Sequence, residues 1–296
     1  LIKCQLNHII DIMGQPGCGH FQASMTRVSL IKKCRQLPAT WWGKQRAQRL
    51  RKRILKGTLL PMDLLLEGAA MRVYLTDNVS ERGFVFMPWR FDLDERRFLL
   101  AHLPEDGVFV DVGANVGIYS CLALTVLKDK GRIVAIEPNP PVAARLAFNL
   151  AATADHKQSE AQITLIKKGA SHQTGSFSLY LDPNNLGASS LKGQGGSGSG
   201  TEIQIECLPL LDLLSENEIK RIDAMKVDIE GAEDLALVPF LNKAADALLP
   251  KVLIFENNQA QWQLDVMSSL KARGYQLHQQ TRMNYIFIRN LNNIKV

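Results

Sequence analysis

From about residue 108 onward, short apolar runs alternate with stretches whose apolar residues recur at helical spacing. VFVDVG (108–113), RIVAIEP (132–138), ITLIKKGAS (163–171), AMKVDIE (224–230) and KVLIFEN (251–257) read as buried parallel strands, being β-branched and nearly continuous in their apolar residues. Helical patterns fall between and after them: Gly117 through Leu127, Pro141 through Leu150, LLDLLSENEIKR, residues 233–243 and residues 260–273. FSLYL (177–181) and EIQIECLPL (202–210) form an extra strand pair, and YQLHQQT (275–281) and YIFIRN (285–290) flank a hairpin turn at Arg282-Met283-Asn284. Upstream, MRVYL (71–75) and GFVFM (83–87) alternate as a strand pair turning at Asp77-Asn78, and DLDERRFLLAHL (92–103) reads as a helix opened by Asp. This βαβα order predicts an α/β fold. Its core is a doubly wound, mostly parallel sheet with helices on both faces, to which the terminal hairpin adds one antiparallel strand.

Composition changes that picture little, but the charge distribution divides the chain. At 296 residues, with 46% hydrophobic and 22% charged residues, the sequence is that of a soluble globular protein. No apolar run approaches the roughly 18–20 residues that span a bilayer. The opening LIKCQLNHIIDIM, interrupted by His8 and Asp11, reads as neither a signal peptide nor an anchor. Net charge is +6; residues 1–60 hold twelve Lys/Arg and one Asp (+11), so residues 61–296 carry 6 − 11 = −5. Residues 1–60 are therefore set apart as a basic, largely helical extension. Residues 61–296 form the folded domain, carrying a flexible Gly/Ser loop at GQGGSGSG (193–200). Within the extension, WWGKQRAQRLRKRILKG (41–57) reads as a basic amphipathic helix with Trp41, Trp42, Leu50, Ile54 and Leu55 as apolar positions. It is either a contact for a polyanion (RNA, phospholipid or an anionic carrier) or a solvated helix docked on the domain by its aromatic end; the second is the simpler reading. Of the scattered cysteines Cys4, Cys18, Cys34, Cys121 and Cys207, the last two fall in core segments, and Cys18-Gly19-His20 lacks a second metal-ligand pair. A reducing, cytoplasmic setting fits that usage.

The candidate chemistry lies at strand ends. Ligands of open α/β sheets bind outside the carboxyl ends of the strands, near the point where strand order reverses. In VDVGANVG the first strand ends at Asp111-Val112-Gly113 and a helix starts near Gly117, with Asn115 where a dinucleotide-binding G-x-G-x-x-G turn would place glycine differently. Asp111, two residues before the first glycine, suits a cationic ligand such as a sulfonium carrying an amino group better than a pyrophosphate. The second strand ends in Glu137, about 20 residues beyond the turn, where a carboxylate accepts both hydroxyls of an adenosine ribose.

VFVDVGANVGIYS, GRIVAIEPNP, KKGAS, LPLLDLL and MKVDIEGAED, in this order and spacing, resemble the FkbM family of S-adenosylmethionine-dependent methyltransferases. The resemblance spans roughly residues 71–290. It implies a class I methyltransferase fold with a seven-stranded sheet, S-adenosylmethionine as cofactor, and O-methylation of a hydroxyl on a sugar, glycan or natural product. It also implies that Asp111, Gly113, Asn115 and Gly117 surround the methionine part, that Glu137, with Asn139 beside it, binds the ribose, and that Gly169, Ala170 and Ser171 lie beside the adenine.

A hydroxyl acceptor must lose its proton, which calls for a base. Asp228 and Glu230, at the end of the fourth strand, are the candidates. One would orient the cofactor amine or the acceptor while the other takes the proton, with Asp228 placed closer to the chemistry and Lys226 paired with one of them. Glu233 reads as a first-turn carboxylate favoured by the helix dipole. Glu256-Asn257-Asn258, ending the fifth strand, could join Asp228 in holding magnesium or calcium, or bind substrate hydroxyls directly; the metal-free reading is favoured. His172 is a second candidate base, better read as a rim residue. Two rivals remain. A nucleic-acid methyltransferase would use the basic helix, but MKVDIEGAE lacks the N/D-P-P-Y/F element of base N-methylation. An inactive adenosine-binding module would not need Asp111, Glu137 and Asp228 together.

Overall fold

The computed structural model describes residues 19–56, 60–182, 185–188 and 201–289. The opening segment with Cys4 and Cys18, and the Gly/Ser stretch 193–200, lie outside these. The main sheet is built from β3 (Val108–Val112), β4 (Arg132–Ile136), β5 (Gln162–Ile166), β9 (Ala224–Val227), β10 (Val252–Glu256), β11 (Tyr275–Gln280) and β12 (Asn284–Arg289), in the order β11-β12-β10-β9-β3-β4-β5. Pairings among β3, β4, β5, β9 and β10 are parallel, and β12 runs antiparallel to both its neighbours. This is the seven-stranded, mostly parallel class I arrangement expected above. The chain leaves β3 toward β5 and later returns to β3's other side as β9, so strand order reverses between β3 and β9.

Side-chain alternation on β3 divides the core into two layers. Phe109 joins the apolar cluster on one face, while Val110 and Val112 join the other. The first layer includes α5 (Ile118–Leu124) and α6 (Pro140–Lys157); the second includes α7 (Leu210–Glu216), α8 (Glu233–Lys243) and α9 (Val266–Ala272). Burial on both faces explains why these strands read as continuous apolar runs rather than alternating ones.

Two sequence-based assignments are corrected. Residues 71–75 and 83–87 are not partners: β1 (Met62–Leu66) pairs with β2 (Ala69–Val73) around Glu67 and Gly68, both at positive φ, and residues 79–86 form helix α3 (Val79–Phe86). The Asp77-Asn78 turn is in fact a helix start, where the Asn78 Oδ1 accepts from the Glu81 N–H at 3.0 Å and the Glu81 carboxylate accepts from the Tyr74 N–H at 3.1 Å. Phe84, Val85 and Phe86 are buried in succession, so the end of this helix carries no polar residue to reveal the helical period. The run 163–171 also divides. β5 ends at Ile166, and β6 (Gly169–Ser171) joins a small separate sheet with β7 (Gly175–Leu181) and β8 (Thr201–Pro209), in the order β6-β8-β7.

Helices α1 (Gly19–Arg35) and α2 (Trp41–Ile54) lie against the domain. Ile31, Cys34, Ala47 and Ile54 are buried, and Arg35 donates to the Phe84 carbonyl at 2.6 Å. The basic helix forms, but not docked by its aromatic end: Trp41 and Trp42 are 61% and 76% exposed. The small residues Gly43 and Ala47 let it close on Pro38 and Cys34 of the preceding segment, and Ile54 at its far end joins the domain's apolar cluster.

Arg96, on α4 (Leu93–His102), ties the segment before the main sheet together. It pairs with Glu67 and donates to the Phe91 carbonyl at 2.9 Å and the Pro88 carbonyl at 2.6 Å, at 2% exposure. Arg96→Ala leaves a hole and unpaired carbonyls, and is expected to cost about 3 kcal/mol. Thermal unfolding would then report a Tm lower by roughly 5–10 °C.

Candidate functional site

A cavity of about 390 Å³ opens at the carboxyl ends of β3, β4 and β9. Its floor is the turn after β3, in which Gly113, Asn115 and Gly117 all take positive φ. Gly113 is required twice over: its φ is +75°, and a Cβ there would lie 1.9 Å from the Asp228 carbonyl oxygen. The N–H groups of this turn are consumed internally. Gly113 and Ala114 donate to the Ile136 carbonyl, Asn115 to Glu137 Oε2, Val116 to Asn115 Oδ1 and Gly117 to the Ala114 carbonyl, all at 2.8–3.0 Å. None is left to cradle a pyrophosphate, which is what a dinucleotide site requires.

Glu137 sits at the rim of that floor. Its Oε2 takes the Asn115 N–H and its Oε1 the Asn139 N–H, each at 2.9 Å. About half of the carboxylate's lone-pair positions remain for a diol. Burial pushes its pKa up to about 7, against the pull of the two N–H groups. A carboxylate anchored at one edge and facing the cavity at the other suits the ribose of an adenosine cofactor.

The acidic wall is ordered around one cation. Register pairs Asp111 on β3 with Lys226 on β9, so both side chains project from the same sheet face. Lys226 is buried, and its Nζ lies 2.8 Å from Asp228 Oδ2 and 4.8 Å from the centre of the Tyr119 ring. Burial pulls the Lys226 pKa down, but Asp228 and Asp111 more than offset this and hold it above its ordinary value. Asp111 accepts from the Ser120 hydroxyl at 2.6 Å, and burial raises its pKa against Lys226 and Ser120. Asp92, at the start of α4 with φ +42°, accepts from the Tyr119 hydroxyl at 3.2 Å and is pushed up to about 6, chiefly by burial.

The chain after β9 bends sharply through Glu230 and Gly231, both at positive φ. A non-glycine residue held there is strained, and such strain concentrates at functional positions. Glu230 is half-buried, lines the cavity, and has no hydrogen-bond or ion-pair partner among the described residues. Burial, then the neighbouring Asp228 and Glu256, push its pKa up to about 8. Glu233 is more than a dipole partner: it is buried, and its Oε1 accepts from the N–H groups of Ile229 and Gly231, each at 3.1 Å, bracing the bend.

Asp228, Glu233 and Glu256 bring oxygens within 4.8 Å of one another. They suit a metal poorly. Asp228 is already balanced by the Lys226 ammonium, and Glu233 Oε2 takes the Trp262 indole N–H at 3.1 Å. The Asn258 amide points its donors at Glu256, at 2.6 Å.

The structure gathers Asp111, Gly113, Asn115, Glu137, Gly169, Ala170, Asp228 and Glu230 on the cavity wall. Gly117, Asn139 and Ser171 stand behind it. Gly117 starts α5 at φ +89° against Leu146, the Asn139 amide donates to the Leu186 carbonyl at 3.2 Å, and Ser171 is buried on β6. His172 is exposed beside Ser171. Sequence reasoning missed Asp92 and Tyr119 as wall residues; an Asp before a helix is ordinary capping chemistry, and nothing local marked it.

A family model described as the Methyltransferase FkbM domain matches residues 111–277, more than half of the chain. Among curated proteins, Methyltransferase sdnD of Sordaria araneosa is 29% identical over 161 residues, covering 45% of this chain; the match spans 60% of that protein's length. Among solved structures, Methyltransferase FkbM from Methylobacillus flagellatus KT is 20% identical with a TM-score of 0.42, covering 71% of this chain and 54% of that one. A SAM-dependent O-methyltransferase from Thermotoga maritima is 11% identical with a TM-score of 0.39, covering 68% and 67%.

Proposed function

Because the chain belongs to the FkbM family of S-adenosylmethionine-dependent methyltransferases, we propose that its acceptor is a hydroxyl group, on a sugar, glycan or natural product, and that Glu230 is the base that deprotonates it. The observation that carries this reading is the division of labour between two carboxylates on one rim. Asp228 is bound to Lys226, whereas Glu230 is unengaged, faces the cavity and has its pKa raised to about 8. A carboxylate acceptor needs no base. A hydroxyl does, and a carboxylate of raised pKa is the stronger proton acceptor.

When bound, S-adenosylmethionine supplies an electrophilic methyl group on a sulfonium. Glu137 would hold the ribose diol, and Gly169 and Ala170 would line the adenine side. The Asp111–Lys226–Asp228 array would keep a negative field near the cationic end while fixing the direction of the Asp228 carboxylate. Holding the acceptor oxygen in line supplies much of the acceleration in such a displacement, and Glu230 removes its proton.

Calorimetry with S-adenosylmethionine, followed by transfer of a labelled methyl group to hydroxylated glycans and natural products, tests the reading. No cofactor binding would sink it. Label entering only carboxyl groups, or only the bases of RNA, would refute the hydroxyl acceptor. Excess EDTA is expected to leave turnover unchanged, since the cation at this site is Lys226; a loss restored by magnesium would contradict that.

A further inference from the structure

Helix α2 presents an outer face that the domain does not use. Trp42, Arg46, Arg49 and Arg53 recur at spacings of four, three and four residues, and all are exposed. This places them in one stripe roughly 16 Å long, with Lys52 and Trp41 on its flank. The buried face, with Gly43, Ala47 and Ile54, is covered by α1 and the turn after it at Pro38, and at Ile54 by the domain's apolar cluster. No Asp or Glu occurs in the sequence between Asp11 and Asp63. Among the described residues, none of the cations on the stripe has an ion-pair partner, whereas Arg35, facing inward, pairs with Glu67 at 3.0 Å. Trp41 and Trp42, 61% and 76% exposed, are the most exposed aromatic side chains described.

We propose that this face docks the protein on the surface of a bilayer containing anionic phospholipid. Indoles favour the headgroup level of a membrane, and a juxtaposed row of cations is drawn to an anionic leaflet. Trp42 lies at the N-terminal end of the same face along which the cations run to the last turn of the helix. A single-stranded nucleic acid fits less well. Such strands are held in a basic groove that tracks the backbone, with bases stacked on aromatic plates. Here the cations ride on a convex helix, and the two indoles meet edge to face, 81° apart with centroids at 4.5 Å. Because the apolar face of α2 is consumed by α1 and the domain, the helix does not insert. Docking is peripheral, reversible and weakened by salt.

Flotation of the full chain with vesicles of phosphatidylcholine, with and without phosphatidylserine, tests this. The expected result is partitioning that requires phosphatidylserine and is released by high salt. A triple variant, Arg46→Glu with Arg49→Glu and Arg53→Glu, should lower it by about 100-fold or more, from an attraction of the order expected per surface cation. Trp41→Ala with Trp42→Ala should lower it by about 10-fold. Cofactor affinity, read by calorimetry, should be unchanged in both variants. In the unaltered protein, brominated phosphatidylserine vesicles should quench tryptophan fluorescence, a readout that needs no variant. No partitioning and no quenching would overturn the proposal. So would equal binding to both vesicle types, binding indifferent to the charge reversal, or binding of a single-stranded oligoribonucleotide through this stripe in the absence of any vesicle binding.

Discussion

Glu230→Gln is expected to lower kcat by roughly 10²–10⁴-fold while leaving S-adenosylmethionine affinity nearly unchanged. The amide has the shape of the carboxyl group but cannot take a proton, and Glu230 makes no hydrogen bond or ion pair with the described residues whose loss would disturb the fold. Its pH behaviour separates a base from a bystander. The pKa of Glu230 is pushed up to about 8 by burial and by Asp228 and Glu256, so the group is largely protonated at neutral pH. A base acts in its deprotonated form. The kcat/KM of the reaction should therefore rise about tenfold per pH unit below that value and level off above it. The rise should vanish in Glu230→Gln. A variant with the wild-type profile and rate would remove Glu230 from the chemistry and return the role to Asp228.

Glu137→Ala is expected to weaken S-adenosylmethionine binding by about 10²–10⁴-fold, measured by calorimetry. Two losses combine. The ribose hydroxyls lose a charged acceptor, worth about 1.5–3 kcal/mol for each hydrogen bond to it. The N–H groups of Asn115 and Asn139, each held by Glu137 at 2.9 Å, are left unpaired, at about 1–3 kcal/mol each where water cannot reach them. The second loss loosens the glycine turn itself, so thermal unfolding of the cofactor-free protein should shift too. Burial raises the pKa of Glu137 to about 7, and a protonated carboxyl accepts fewer hydrogen bonds. Cofactor affinity should accordingly fall as pH drops below 7 in the wild type, with the fall absent in Glu137→Ala. Unchanged affinity in the variant would mean that the ribose is held elsewhere.

Much of this site was legible before any coordinates, for a geometric reason. In an open parallel sheet every β–α turn lies at the same edge, so residues just past Val112, Ile136 and Val227 converge whatever their separation in sequence. Gly113, Glu137, Asp228 and Glu230 could thus be placed together from strand-end positions alone. The upstream region was less readable. Residues 83–87 alternate by chance at the end of a helix where Phe84, Val85 and Phe86 are buried in succession, and short apolar runs carry no period that distinguishes strand from helix.

The sequence by itself determined the chemistry at the strand ends: a glycine turn unsuited to pyrophosphate, a carboxylate one strand over, and two acids on the fourth strand's end. The tertiary structure decided which acid is free. That depends on the β3–β9 register, which sets Asp111 opposite Lys226 on one sheet face, where the ammonium also holds Asp228. A slip of one residue would turn Lys226 to the other layer and part it from Asp111. It depends equally on the packing that places Asp92 and Tyr119 beside the cation and strips Glu230 of partners. The same holds for α2, whose basic sequence was plain but whose outward face was chosen by the burial of Gly43, Ala47 and Ile54. Local spacing sets which residues meet at an edge; long-range contacts set their charges and the directions they face.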